Sequence, residues 1–242
     1  MAISIEFENV WFAYKDEEWV LKGISFALNQ GETLALVGTT GSGKTTIVNL
    51  LLRFYPIQRG TIRINGIDIQ EYTLKELRQH FSIVLQDPVI FSDTIFNNIT
   101  LGLTHIQERE VKQAIAFANL ERFVAKFTEG ISHKLSPGQI STGEMQLLSI
   151  ARAVAQRREI FLLDEATANV DYATEQLIQN AYDKLFVHKT ALVIAHRLRT
   201  VQKANQILVL HHGNIAEKGT HQQLLQLNGL YEKLYRLQFL NT

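Results

Sequence analysis

A glycine-rich run, GTTGSGKTT at residues 38–46, constrains the fold more than any other feature of the sequence. An apolar stretch at residues 33–37 precedes it, and a helical run, IVNLLLRF at residues 47–54, follows it. The spacing matches G-x-x-x-x-G-K-[ST], a pattern that forms a loop between a buried strand and a helix N-terminus. The sequence therefore predicts a strand, a tight loop and a helix at the centre of an α/β fold.

The residue types of this loop suit a bound polyphosphate. Backbone N–H groups of the turn and of the helix N-terminus would point at a β-phosphate, Lys44 would reach the β- and γ-phosphates, and Thr45 would offer its hydroxyl to Mg²⁺. The alternative is a glycine-rich turn with an exposed lysine, which chance alone produces in roughly one chain in a hundred of this length. The nucleotide-binding residues predicted here are Gly38, Thr39, Thr40, Gly41, Ser42, Gly43, Lys44, Thr45 and Thr46.

A second segment, EIFLLDE at residues 159–165, has four apolar residues followed by two carboxylates. At the carboxyl edge of a parallel strand, Asp164 would hold Mg²⁺ and Glu165 would act on the attacking water as a general base. A solvated strand end is the alternative, and it would be as good an explanation if the segment stood alone. Together with the loop, the acidic pair predicts a chain that binds ATP with Mg²⁺ and hydrolyses it.

The rest of the pattern predicts a single α/β domain. Period-two alternation predicts antiparallel strands at residues 3–14 and 20–28, and an Asn65-Gly66 turn predicts a hairpin at residues 62–69. Short apolar runs predict parallel strands at residues 33–37, 81–85, 160–163 and 191–195. The predicted fold is a P-loop NTPase core with a mostly parallel sheet, an N-terminal antiparallel β-subdomain and an inserted helical subdomain. We expect the core with its β-subdomain at residues 1–86 and 157–242, and the helical subdomain at residues 87–156.

Composition excludes several other classes of protein. The 24 basic and 24 acidic residues give a formal charge of zero, which argues against a nucleic-acid partner. The absence of cysteine excludes disulfides and thiolate metal sites, and it fits a reducing compartment. No apolar run reaches the roughly 18 residues that span a bilayer, so we expect the chain to be soluble by itself.

The order of further motifs resembles the nucleotide-binding domain of ATP-binding cassette (ABC) transporters along essentially the whole chain. These motifs are Gln86 after a core strand, SIARA at 149–153, EATANVD at 165–171 and VIAHRL at 193–198. The segments at residues 67–99 and 228–239 are similar to those of multidrug and lipid exporters. The resemblance implies an ATPase at the cytoplasmic face of the inner membrane. It would pair head to tail with a second cassette and drive a transmembrane domain of the same or another chain.

The resemblance also implies roles for individual residues. Tyr14 would stack on adenine, although it could instead be a sheet aromatic in the core. His196 would contact the γ-phosphate, unless it is a structural histidine at a strand end. Gln86 would sense Mg²⁺ and the attacking water, and Asp171 would lie in a loop that crosses to the partner cassette or cap the next helix. The predicted catalytic residues are thus Lys44, Gln86, Glu165 and His196, and the predicted metal ligands are Thr45, Gln86 and Asp164.

The signature segment, which would bind the partner's ATP, departs from the family form Leu-Ser-Gly-Gly-Gln. LSPGQ at residues 135–139 is closer in spelling, but ISTGE at residues 140–144 has the expected spacing from the helix that ends in Ala-Arg-Ala. Spacing favours ISTGE, so Ser141 and Gly143 are predicted to bind nucleotide. Ser141-x-x-Glu144 is also a capping box, which would explain Glu144 without any nucleotide.

Two residues of ISTGE could weaken the opposing ATP site. Thr142 is β-branched where the backbone would approach phosphate, and Glu144 adds a charge about 10 Å away, a cost on the order of 1 to 2 kcal/mol per unit of phosphate charge. Either the natural partner is a different cassette, or both residues are tolerated in a homodimer.

Rival functions are a soluble ABC ATPase of DNA repair or translation and a P-loop phosphotransferase. The sequence shows neither the insertions of the first nor the acceptor site of the second.

Overall fold

The computed structural model describes residues 5–136, 138–164, 170–187, 189–195 and 198–237. In chain order the strands are β1 (Ile5–Ala13), β2 (Trp19–Leu28), β3 (Thr33–Gly38), β4 (Arg59–Ile64), β5 (Ile67–Asp68), β6 (Phe81–Val84), β7 (Ile160–Asp164), β8 (Thr190–Ile194), β9 (Gln206–His211) and β10 (Asn214–Gly219). The helices are α1 (Lys44–Leu51), α2 (Leu74–Gln79), α3 (Ile95–Thr100), α4 (Glu108–Phe117), α5 (Glu121–Val124), α6 (Thr142–Ala155), α7 (Tyr172–Phe186), α8 (Leu198–Lys203), α9 (His221–Gln226) and α10 (Leu230–Tyr235).

The N-terminal sheet is antiparallel, in the order β2-β1-β4-β5. A two-residue turn joins β4 to β5, and Ile64 pairs with Ile67 across it. Both turn residues have positive φ, 54° at Asn65 and 78° at Gly66, as a type I′ hairpin requires. The predicted antiparallel subdomain and its hairpin are therefore confirmed.

The second sheet has six strands in the order β10-β9-β3-β8-β7-β6. All its strand pairs are parallel except the edge pair of β9 with β10. Because the carboxyl ends of parallel strands meet at one edge, β3, β6 and β7 end at the same side of the molecule. The four predicted parallel strands are present, and β9 adds a fifth beside β3.

Both faces of the six-stranded sheet are buried, as expected for parallel strands covered on two sides. In β3, Leu34 and Leu36 face an apolar cluster shared with the antiparallel sheet and α1. Ala35 and Val37 face a second cluster, which α3, α4, α6 and α7 complete. The strand that leads into the glycine-rich loop is thus fixed between two cores.

Helices predominate between β6 and β7, within the stretch for which the sequence predicts a helical subdomain. The longest helix of this stretch, α6, packs against α3, α4 and α7. Across the described ranges, none of the helices combines the length and the apolar character needed to cross a bilayer.

Candidate nucleotide site

Tight packing explains the glycines at the two ends of the loop after β3. A Cβ at Gly38 would lie 2.4 Å from the carbonyl oxygen of Leu210, and one at Gly43 would lie 2.6 Å from Cδ2 of Leu21. Gly43 also has φ of 107° at the N-cap of α1, a conformation that other residues rarely adopt. Strands remote in sequence therefore close around the loop and hold its backbone in one shape.

The loop presents unpaired polar groups of the kind that an anion would satisfy. Among the described residues no side chain caps the N-terminus of α1, and its first turn holds no acidic residue. The hydroxyl Oγ of Ser42 is buried without a hydrogen-bond partner in the described part of the chain. Free N–H groups and the helix dipole favour negative charge at such a terminus. The site therefore fits a phosphate group.

Lys44 places the positive charge inside this loop. Its side chain is nearly buried, with 8% of the residue exposed, and Nζ donates to the carbonyl oxygens of Gly38 at 2.8 Å and Thr39 at 2.9 Å. Burial lowers the pKa of the Lys44 ammonium, and the charge of Asp164 opposes that shift. The fold thus holds a poorly solvated cation that gains from a nearby anion.

The carboxyl edge of the sheet brings further predicted residues near the loop. Asp164 ends β7 and is half-buried, while the Thr45 side chain lies on an exposed part of α1. Thr39, Thr40 and Gly41 are also exposed, at the tip of the loop. Glu165 and His196 lie outside the described residues, so their predicted roles rest on the sequence.

Tyr14 lies beside the loop and not in the core. It is 47% exposed, and its hydroxyl lies 3.2 Å from Oγ1 of Thr46 on α1. Its ring meets Phe12 and Tyr55 edge-on, with centroid distances of 4.8 and 5.0 Å. Edge-on neighbours that hold the ring at its sides suit a stacking surface better than a core position does, so adenine stacking remains our prediction for Tyr14.

Tyr14→Ala is expected to weaken ATP binding by about 1 to 3 kcal/mol, because one base-stacking surface is lost. Tyr14→Phe is the matched control, since it keeps the ring and removes only the contact with Thr46. Calorimetric titration of each variant with ATP and with inorganic triphosphate measures the two affinities. Equal weakening for ATP and triphosphate would show that Tyr14 shapes the phosphate loop and does not contact a base.

Gln86 is connected to the helical stretch through its backbone. Its carbonyl oxygen accepts a hydrogen bond of 2.7 Å from Nε2 of Gln146, a buried residue of α6. The Gln86 side chain itself is exposed after β6. Sequence analysis did not identify Gln146, although it lies only one turn into the helix that begins at the signature segment. The loop that would sense the nucleotide is thereby joined to α6.

Arg152 of α6 braces the same loop. Its Nε donates to the carbonyl oxygen of Asn98 at 2.9 Å, and its Nη2 donates to the carbonyl oxygen of Val89 at 3.0 Å. Burial lowers the pKa of this guanidinium below its ordinary value. The arginine of the SIARA motif thus ties α6 to α3 and to the loop after β6.

The structure places a helix N-terminus at ISTGE and a turn at LSPGQ. Ser141 is the N-cap of α6 and forms a full capping box with Glu144. In LSPGQ, Leu135 is buried in the core and the Ser136 N–H donates to the Gln139 side chain at 2.8 Å, while Pro137 lies outside the described residues. Of the residues described in the two segments, those of ISTGE alone offer helix N–H groups, as binding of a phosphate would require.

Packing against α7 accounts for Gly143. A Cβ there would lie 2.3 Å from Cγ2 of Thr174 and 3.0 Å from Cγ1 of Val170. Asp171 caps this same helix by accepting from the Thr174 N–H at 3.0 Å. Hydrogen bonds from Thr174 lower the pKa of the Asp171 carboxyl. The capping role of Asp171 is therefore present, and its contact with a partner cassette remains a prediction.

Gly143→Ala is expected to lower the free energy of unfolding by about 1 to 2 kcal/mol, because overpacking outweighs the helix propensity of alanine. Adding Thr174→Ala should recover most of this loss by removing the methyl group that the new Cβ would meet. Urea denaturation of both variants measures the difference. A single variant as stable as the original chain would show that α6 and α7 adjust without strain.

Comparison with known proteins places these features in a family. The family profile described as "ABC transporter" matches residues 21–168. A probable multidrug resistance ABC transporter ATP-binding/permease protein of Bacillus subtilis (strain 168) is 47% identical over 236 residues, covering 97% of this chain and 35% of that protein. An ATP-dependent lipid A-core flippase of Methylobacillus flagellatus is 44% identical over 240 residues, covering 98% of this chain and 41% of that protein.

A solved structure of a bacterial Atm1-family ABC exporter with ATP bound has the same fold. Its TM-score is 0.89 at 39% sequence identity, with 98% of this chain and 42% of that chain covered. The chain thus spans about two fifths of the length of these relatives. With its glycine-rich loop at the carboxyl edge of a parallel sheet, this chain belongs to the ABC transporter family and is one of its ATPases.

Proposed function

We propose that this chain is the ATP-hydrolysing cassette of an exporter and that it powers a membrane-spanning domain. The observation that carries the proposal is the preformed cradle at residues 38–46, in which Lys44 is held by Gly38 and Thr39. The relatives are named as an ATP-binding/permease protein and a lipid A-core flippase, and these names support the proposal that ATP hydrolysis by this chain drives export. We also propose that the chain works at the cytoplasmic face of the cell membrane and that it binds no nucleic acid.

Mg²⁺ is part of this proposal, with Thr45, Asp164 and Gln86 as its protein ligands. Hydroxyl, carboxylate and amide oxygens are the donors that Mg²⁺ takes, and a bound Mg²⁺ would neutralise charge on the phosphates. Lys44 would hold the β- and γ-phosphates, and Glu165 would orient the attacking water and take its proton. His196 would contact the γ-phosphate and orient it toward that water.

A second cassette would complete the site. Ser141 is exposed at the N-terminus of α6, where its hydroxyl and the N–H groups of the first turn could meet the phosphate of a partner's ATP. Gly143 and Asp171 would lie at the same interface. Both a second copy of this chain and a different cassette fit the proposal. The division into a core at 1–86 and 157–242 and a helical subdomain at 87–156 would let α6 move with the loop at Gln86.

Phosphate release from ATP by the purified chain is the direct test. We expect hydrolysis with water as the only acceptor, and we expect EDTA to stop it. A requirement for a small-molecule acceptor would overturn the proposal in favour of a phosphotransferase. The coupling to export is tested by the surrounding reading frame, which should encode a membrane-spanning domain in the same gene or beside it.

A further inference from the structure

Glu144, in the first turn of α6, is held by two different groups of the protein. Its Oε2 accepts from the backbone N–H and from the hydroxyl of Ser141, each at 2.9 Å. Its Oε1 lies 2.6 Å from Nζ of Lys126, which comes from 18 residues earlier in the chain. The Glu144 side chain is only 18% exposed. One carboxylate thus connects the turn after α5 to the N-cap of α6.

The capping box explains only half of this arrangement. Glutamine caps a helix in the same way as glutamate, through the oxygen that faces the N-cap residue. The negative charge of Glu144 and its bond to Lys126 are therefore additional to the cap. Partial burial opposes ionisation of Glu144, but the hydrogen bonds from Lys126 and Ser141 outweigh it and lower its pKa. At neutral pH the Glu144 carboxyl is therefore ionised in the folded chain.

An unbalanced charge at this position would act against the proposed function. At an effective dielectric of about 20 and a separation of about 10 Å, each unit of phosphate charge would be bound roughly 10-fold more weakly. The Lys126 ammonium, at 2.6 Å, makes Glu144 part of a nearly neutral pair. The Lys126 side chain is 59% exposed, and its ammonium also lies 5.5 Å from the ring centroid of Phe123, a buried residue of α5.

The ion pair between Lys126 and Glu144 also affects the hydrogen bonds that the Ser141 hydroxyl can make. Its hydroxyl donates to Glu144 and accepts from the Glu144 N–H, so it has no proton to spare in this state. If the hydroxyl turned to a phosphate of the partner, Glu144 Oε2 would lose one donor. Because Oε1 stays on Lys126 and Oε2 keeps the Ser141 N–H, the carboxylate would not be left unpaired.

We propose that Lys126 is a positioning residue for the signature segment: it balances the charge of Glu144 and frees the Ser141 hydroxyl for the partner's ATP. The proposal rests on the proposed function, since it requires that residues 140–144 face a second nucleotide site. It also changes the expectation for the partner. With Lys126 in place, the charge of Glu144 is no longer an argument for a heterodimer.

A double-mutant cycle tests this role. Lys126→Met in the original chain is expected to raise the KM for ATP about 10-fold, and this rise should shrink as salt is increased from about 0.05 to about 0.5 M. In the Glu144→Gln background the same Lys126→Met change should alter KM less than about twofold. Without the carboxylate, the 59% exposed Lys126 side chain is no longer held beside the segment, and solvent and salt screen its charge. The matched control is Lys112→Met, which breaks an exposed lysine–glutamate pair with Glu108 and should leave KM unchanged.

The outcomes separate this inference from the proposed function. Ser141→Ala is measured beside the cycle. An unchanged KM there would overturn this inference together with the proposed contact between the signature segment and a partner's ATP, while phosphate release would still test the proposed ATPase activity. If Ser141→Ala raises KM while Lys126→Met acts equally in the original chain and in the Glu144→Gln variant, only the role of Lys126 is overturned. A rise in KM that does not depend on salt would likewise assign Lys126 to folding.

Discussion

Lys44→Ala is expected to abolish tight binding of ATP to the purified chain. The ammonium sits within the loop on two carbonyl oxygens, so a β- or γ-phosphate entering the loop would take over its hydrogen bonds. Two charge-assisted bonds of about 1.5 to 3 kcal/mol each correspond to a loss of roughly 10²- to 10⁴-fold in affinity. Isothermal titration with ATP measures this loss.

Loss of folding would not explain that result. Burial lowers the pKa of Lys44, so the folded state disfavours its charged form and is destabilised by holding it near pH 7. Removing the amine should therefore leave the free energy of unfolding unchanged or raise it. Lys75→Ala, at an exposed lysine of α2, is the matched control and should bind ATP normally. Unchanged affinity in Lys44→Ala would contradict the assignment of the loop.

The conformation of the glycine-rich loop could be predicted because its parts are adjacent in the chain. Strand, loop and helix follow one another over residues 33–51, so local spacing alone indicates the geometry. The hairpin at Asn65 and Gly66 is predictable for the same reason. The reason for the glycines was not visible, because the atoms that exclude a side chain at Gly38 and Gly43 belong to Leu210 and Leu21.

Contacts between distant segments could not be predicted from one sequence. Gln146 reaches the carbonyl oxygen of Gln86 across 60 residues, and no periodicity marks such a pair. The same limit applies to Glu144. Sequence alone indicated a charge near a phosphate, and the cost estimated from it omitted Lys126, which approaches from a separate element. For Tyr14, the sequence pattern allowed either a core or a surface position. The structure shows that the side chain is exposed beside Thr46.

Glu165→Gln should keep ATP binding but lower turnover by roughly 10²- to 10⁴-fold, if Glu165 takes the proton of the attacking water. Glu165 follows Asp164 in the sequence, and Asp164 is the last residue of β7, whose carboxyl end lies at the edge where the loop after β3 opens. The amide keeps the shape of the side chain and cannot accept a proton. Phosphate release under saturating ATP measures turnover, and titration with ATP confirms that binding is retained.

Because hydrolysis would separate the paired cassettes, the Glu165→Gln chain should also accumulate as an ATP-bound dimer on gel filtration. Glu159→Gln is the matched control, since Glu159 immediately precedes β7 at the opposite edge of the sheet and pairs with His80 at 3.2 Å. That variant should hydrolyse ATP normally and elute as the original chain does. Normal turnover in Glu165→Gln would remove Glu165 from the mechanism, whereas lost ATP binding would assign it to the structure of the site.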